Sequence, residues 1–320
     1  MGTVTHFKQQ KVDNLKFKSI FGTGNYLKSL GTDFGGVKTV NLKIAYYTNS
    51  VLGIKRLTIT SLETKKDLSQ AVYETELDEV MSYFKKSLNV AYLTCPPPFA
   101  IFPFPYKKAL NAQFGTVLKP LAATEDELFT DIHPKHRNKI RKGTKEGLTF
   151  ETGIHLKDDC YRIIADTLSR ESIYFETKSE FDKMCESLNE NVAYFVVKKG
   201  DEVHGAAVVP FNGSCAFYLW GGSVRKPSTG AMNFMHWEII KYFKGINVES
   251  YDFVGIRLNP EKNTKLDGLR SFKTRFGGEI VSGYLWKLTL KPLPTLAFKF
   301  LYLLKNRSFP SDIIESENKK

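Results

Sequence analysis

Long apolar runs are missing from this 320-residue sequence. A membrane-spanning helix needs roughly 18–20 apolar residues in a row. The nearest approach, Leu296–Leu304, is broken by Lys299 and followed by Lys305, Asn306 and Arg307. That segment reads in two ways: as a helix docked on the core, or as an amphipathic helix resting on an anionic leaflet, the peripheral inner-membrane surface. Cysteine is scarce as well. Cys95, Cys160, Cys185 and Cys215 are widely spaced, with no C-x-x-C pair and no His at ligand spacing. This excludes a zinc site and a disulfide framework and fits thiols in a reducing cytoplasm. Of the six histidines only His133 and His136 lie close together, in a cationic segment hostile to a metal, so no metal is expected. The first 21 residues hold no apolar signal core, and His6 stands where a myristoylation signal needs Ser or Thr. G-x-S-x-G, Walker, G-x-G-x-x-G and H-E-x-x-H patterns are absent, which removes the usual support for hydrolase, NTPase and metalloprotease readings.

Acid is also in short supply: 34 Asp and Glu against 46 Lys and Arg leave a net charge of +12. An excess of that size calls for an anionic partner, whether nucleic acid, phosphate-bearing small molecule or acidic membrane. The 42% hydrophobic content excludes wholesale disorder, and the 13% aromatic content favours strand-rich packing. Apolar positions Leu77, Val80, Met81, Phe84 and Leu88 recur at three- and four-residue spacing and predict a helix over Glu74–Leu88. Downstream, the expected order is two helices (Asp158–Glu171, Lys178–Leu188) and three strands (Ala193–Lys198, Glu202–Phe211, Ser214–Trp220). A helix (Ala231–Phe243) and a strand (Ser250–Val254) follow. Lys199–Glu202 and Phe211–Ser214 read as hairpin turns, the second on its Asn-Gly. This is the element order of an acyltransferase-type α/β domain.

Three constellations could carry chemistry. Ile132–Gly147 concentrates Lys135, Arg137, Lys139, Arg141, Lys142 and Lys145 against one acid, Glu146. Pro134 suits the first turn of a helix that Gly143 or Gly147 could end. Such a helix offers several cations to phosphates, unless it is only a solvated face. In Phe217–Ile240, Gly221-Gly222, then Arg225 and Lys226, precede a helix start at Ser228–Gly230, an arrangement suited to an anion. The alternative for the glycine pair is an ordinary turn. In Glu249–Gly278, Asp252 at a strand end could accept a proton or orient an amine, or simply pair or cap. Lys273, beside Phe272 and before Phe276-Gly277-Gly278, could steady an oxyanion or phosphate.

IHPKHRNKIRKGTKEGL, FYLWGGS, YDFVGI and LRSFKTRFGG, taken in that order, resemble the Fem-type (FemABX) peptidoglycan-bridge aminoacyltransferases and their acetyltransferase-like relatives. YDF-x-G followed by FK-x-x-FGG is the most specific part. The resemblance implies an α/β (α+β) chain of two tandem GNAT-like domains. On it we expect residues 1–147 as an N-terminal domain ending in the basic helix, and 148–320 as a C-terminal domain ending in an amphipathic helix. It further implies transfer of an aminoacyl or acyl group to an amine of a cell-envelope precursor, lipid- or nucleotide-linked. The donor would be a co-substrate, aminoacyl-tRNA or acyl-CoA, with no tightly bound cofactor. Lys273 matches the family's FK lysine and Asp252 its YDF aspartate, the candidate catalytic pair. Tyr218, Phe272, Arg225, Lys226 and Gly230 become candidate substrate contacts, and Lys135, Arg137, Lys139, Arg141 and Lys142 candidate tRNA or phosphate contacts. The family's arginine before that tyrosine is missing, with Ser214 four residues upstream, and so is the coiled-coil arm. A non-catalytic RNA-binding protein on a transferase fold is the rival from another class, although the basic segment lacks the interleaved aromatics that would favour it.

Overall fold

The computed structural model describes residues 4–31, 33–306 and 312–319. Two compact units form, residues 1–115 with 282–320, and residues 116–281. In the first, β1 (Thr5–Lys8), α1 (Gly24–Leu30), β2 (Phe34–Lys38), β3 (Leu42–Val51), β4 (Ile54–Thr64), α2 (Gln70–Lys86) and β5 (Tyr92–Leu93) follow in order. β3 and β4 join through a two-residue turn, Leu52-Gly53, both left-handed at φ 53° and 73°. That turn twists with the strands it connects. α2 starts where Ser69 accepts from the Val72 amide, and it buries Leu77, Val80, Met81 and Phe84 on one face. The expected helix is therefore present and begins one turn earlier than its apolar pattern.

The second unit takes the chain from residue 116 of β6 (Leu110–Pro120) through α3 (Glu125–Asp131), α4 (Pro134–Lys145), β7 (Leu148–Thr152), α5 (Lys157–Arg170), α6 (Lys178–Leu188), β8 (Val192–Lys199) and β9 (Glu202–Pro210). β10 (Ala216–Phe217), β11 (Trp220–Ser223), α7 (Ala231–Gly245), β12 (Ser250–Asp252) and α8 (Lys265–Thr274) complete it. One sheet runs β11-β9-β8-β7, and β6-β12-β10 pair separately. Gly200 at φ 58° makes the expected tight turn between β8 and β9. The Asn-Gly pair closes a four-residue loop, with the Asn212 amide donating to the Cys215 carbonyl at 3.0 Å, rather than a two-residue turn. Asn212 also accepts the Ser214 and Cys215 amides on its own side chain, and only a Phe211–Ala216 bridge follows. The expected strand Ser214–Trp220 splits in two: β10 lies parallel to β12, and β11 lies antiparallel to β9. Its core joins Phe195, Ile239, Ile240, Phe243, Tyr251, Phe253 and Phe276, all buried.

After β13 (Glu279–Thr289) the chain returns to the first unit and adds α9 (Pro292–Asn306) and α10 (Ile313–Asn318). The first unit's sheet then reads β1-β2-β3-β4-β5-β13. This division differs from a cut at 147/148. The basic helix belongs to the second unit and the amphipathic helix to the first, because β5 recruits β13 from some 200 residues away (Leu288 opposite Leu93). No helix of the described residues is long and apolar enough to cross a membrane. The four cysteines are free, and burial holds all four thiols above their ordinary range.

Candidate active site

Lys273 stands in the last turn of α8, a helix capped where Thr264 accepts the Asp267 amide. Its side chain is buried, and its ammonium donates to the carbonyls of Val254 and, at 2.9 Å, Gly255. Those carbonyls converge because two successive residues are left-handed, Val254 at φ 49° and Gly255 at φ 62°. For β-branched valine this is strained by about 1–3 kcal/mol, and such strain persists only where the surroundings hold it. The surroundings here are the ammonium on one side and Asp252 on the other. Asp252 Oδ1 accepts from the Val254 amide at 2.7 Å and from the Thr116 hydroxyl. Burial raises the Asp252 carboxyl above its usual range, while Thr116, the Val254 amide and Lys273 pull it back. Burial drops the Lys273 ammonium to about 8, with Asp252 opposing. The YDF-x-G and FK motifs are thus one object, a strained loop pinned from both ends.

Two imidazoles complete the cluster: His236, absent from the sequence reading, and His136, read there only as a residue unfit to hold a metal. His236, fully buried on α7, places Nδ1 3.1 Å from the Tyr251 hydroxyl. Its ring meets Tyr218 edge-on at 4.4 Å, with Phe253, Phe272 and Phe276 around it at 5.0–5.5 Å. Burial first, then Lys273 and His136, hold it near 3, so it is neutral at physiological pH. His136 on α4 packs against the same Phe272 and Phe276 and is held near 4 by burial and by Lys139 and Arg275. Among the described residues, His236 Nε2, His136 Nδ1 and Asn233 Nδ2 find no hydrogen-bond partner. A readable signal did exist: Asn233 and His236 are polar residues three apart on the apolar, buried face of α7.

Of the predicted contacts, Tyr218 and Phe272 join Asp252 and Lys273 here. Tyr218 sits where β10 and β11 part, its amide donating to the Asp252 carbonyl at 2.8 Å. Burial keeps its hydroxyl protonated. A Cβ on Gly221 would overlap that hydroxyl, and one on Gly222 would meet the backbone of α5. The pair is therefore strand with close approaches on both sides, not a turn. β11 is also the edge strand of its sheet.

Arg225 and Lys226 are exposed in the loop before α7. Gly230, at φ 85°, starts α7 with its Cα against the Lys139 carbonyl, so the helix start and the basic helix adjoin. On α4, Lys135, Lys139, Arg141 and Lys142 are exposed and Arg137 is half-buried. Arg137 donates to the Thr130 carbonyl at 3.2 Å, Arg141 covers Phe129 at 5.3 Å, and Lys142 lies 3.5 Å from Glu146. Gly143 is not the helix end. It is buried against Phe234, and Gly147 at φ 77° terminates the helix. The two glycines of FGG have φ 74° and 99°, and a Cβ on either would collide, on Gly277 with the Lys119–Asp131 ion pair and on Gly278 with the backbone at Leu118. No cluster of His, Cys, Asp and Glu fit for a metal occurs among the described residues.

Residues 134–263 match the acetyltransferase (GNAT) domain family. The chain is similar in structure to FemX, with a TM-score of 0.66 at 16% identity over 92% of this chain and 99% of that one. It is also similar to the C-terminal domain of a putative lysylphosphatidylglycerol synthetase from Agrobacterium fabrum, with a TM-score of 0.55 at 16% identity over 92% and 95%. A tandem GNAT protein from the clavulanic acid biosynthesis pathway aligns with a TM-score of 0.50 at 8% identity over 91% and 99%. No curated protein matches. The fold is the mixed α/β, tandem GNAT-like one expected.

Proposed function

We propose that the chain is an acyltransferase that moves an aminoacyl group from aminoacyl-tRNA onto an amine of a cell-envelope component. The observation carrying this reading is the parting of β10 and β11 at Tyr218, whose amide bonds the Asp252 carbonyl at the start of the pinned Asp252–Gly255 loop, inside the stretch that matches the GNAT domain. An acyl donor laid along the edge strand β11 gains main-chain hydrogen bonds only short of Ser223, whose amide and carbonyl are already taken by Thr167 and Arg170 of α5. Direct attack of an amine on an activated ester needs orientation and donors for the tetrahedral intermediate, with no enzyme nucleophile. Lys273 fixes the loop that would orient the reacting groups, and the exposed cations of α4 suit a phosphate backbone. FemX and the lysylphosphatidylglycerol synthetase, the likenesses named above, favour the envelope as the destination.

An acyl-CoA donor is the second reading, favoured by the GNAT match and by the start of α7 beside Arg225 and Lys226. The deciding experiment supplies the purified protein with labelled aminoacyl-tRNA or labelled acetyl-CoA, together with an envelope-precursor extract. We expect label from tRNA to reach an amine and to stop doing so when Arg137, Lys139 and Arg141 are all changed to Gln. Full activity of that variant removes the tRNA donor. Transfer from acetyl-CoA alone establishes the second reading. RNA binding with no transfer from either donor leaves the non-catalytic rival.

A further inference from the structure

The chain's second feature lies in the first unit and does not depend on which group, if any, is transferred. Helix α9 is fastened along one side. Phe298 is buried 6.0 Å from Tyr92 with the Arg56 guanidinium 5.3 Å over its ring, and Thr295 reaches the Ala91 carbonyl. The opposite side is apolar and bare: Leu293 is 81% exposed, Leu296 69%, Phe300 60% and Leu301 42%. At 100° per residue these four fall on one face, the reverse of a helix that merely caps a core.

We propose that this face seats on an anionic phospholipid bilayer, lying in the interface plane. Charge supports that occupant. The fifteen residues of α9 hold Lys299 and Lys305 and no acid. Lys299 is exposed, at the side of the bare face, where a lysine stem can reach headgroups while apolar side chains enter the acyl boundary. A cavity of about 530 Å³ beside the helix is lined by Arg56 and Lys299, and neither forms an ion pair among the described residues. Its Lys287 is already neutralised by Asp312 and Glu315, both at 2.6 Å. The helix is about 22 Å long and lies flat rather than spanning. Arg307, which the sequence analysis counted with this segment, lies outside the described residues.

Cosedimentation of the full chain with phosphatidylglycerol-containing and pure phosphatidylcholine vesicles tests this. The chain should partition at least 10-fold better onto the anionic vesicles and come off as salt is raised. Leu296→Glu with Phe300→Glu should weaken partition at least 10-fold at an unchanged melting temperature, since both side chains are exposed. Lys299→Glu should weaken it about 5-fold or more, and Val40→Glu, an exposed apolar residue on another turn of the unit, should not change it. No partition, equal partition onto both vesicles, or a double variant that binds like the parent overturns the proposal. So does a dimer in sedimentation velocity that the double variant dissolves while vesicles stay bare.

Discussion

The two units bury different kinds of polar group. In the first, the buried polar residues among those described are hydroxyls and a single carboxylate, Glu76. Glu76 is fully employed: it accepts from the Thr39 hydroxyl, the Asn41 amide at 3.1 Å and the Asn41 side chain at 2.6 Å, stapling α2 to the turn between β2 and β3. In the second unit the buried set includes Lys119, His136, His236 and Lys273. Lys119 is paired with Asp131, but the two imidazoles retain idle nitrogens and Lys273 is spent on a strained loop. A satisfied buried charge is a structural device. Incompletely satisfied groups with displaced titration, gathered in one buried cluster, mark a working site.

The largest predicted effect lies in the second unit. Lys273→Met keeps the bulk and removes the ammonium, which frees the Val254–Gly255 loop. Transfer should fall about 100-fold or more, since misplacing groups around a developing charge costs that much. The two orphaned carbonyls should lower stability by about 1–3 kcal/mol. A steady-state assay and urea denaturation on the same sample check both. Transfer at the parent rate would show that the site lies elsewhere.

In the first unit the same operation should split the other way. Glu76→Ala strands three donors and should cost about 2–4 kcal/mol of stability by urea denaturation. The folded fraction should transfer at an unchanged rate. A rate loss comparable to that of Lys273→Met would erase the contrast between the units.

Glycines sharpen the contrast further. Gly53→Ala meets open space, so only its φ of 73° counts, and about 1 kcal/mol should be lost. Gly230→Ala combines φ 85° with a collision against the Lys139 carbonyl, and should cost about 1–3 kcal/mol and move α4 away from α7. Comparing the two melting temperatures separates backbone strain from lost packing. Equal losses would mean that the α4–α7 approach yields freely.

How much of this was legible depended on whether a signal was local. The helix Lys178–Leu188 lies where it was read, and its start is fixed by a local device: Thr177 and Glu180 cap each other. The YDF and FK motifs pointed to Asp252 and Lys273, but not to the fact that one holds the other's loop, because that contact joins residues 18 and 19 apart through backbone carbonyls. His236 was hidden on the apolar face of α7, and its partners, Tyr251 and Phe276, come from later elements. The unit boundary was illegible for the same reason, resting on a strand pairing that no nearby residue announces. Asn212-Gly213 failed as a two-residue turn because the Asn212 side chain takes the Ser214 and Cys215 amides, widening the loop to four residues, and β10 pairs onward with β12.

The last effect is a pH dependence that belongs to the second unit alone. Folding drops the Lys273 ammonium to about 8, against an ordinary lysine near 10.4, with Asp252 the titratable neighbour that acts on it. Between those values the unfolded chain holds a proton that the folded chain has released, so this residue makes stability rise with pH. Buried Tyr218 and Tyr251 act oppositely, because folding raises them and the unfolded chain loses their protons first, above about 10. The four raised thiols also act oppositely, from about 8.5. They are common to the parent and to Lys273→Met and cancel in the difference between them, which leaves a usable window of about pH 8 to 9.5. Across it the parent should gain about 1.5 kcal/mol relative to Lys273→Met, measured as the difference between their urea unfolding free energies. Glu76→Ala should show no such relative gain. A flat difference for Lys273→Met would mean that the lysine keeps its proton, and that the carbonyls of Val254 and Gly255 compensate its burial in full.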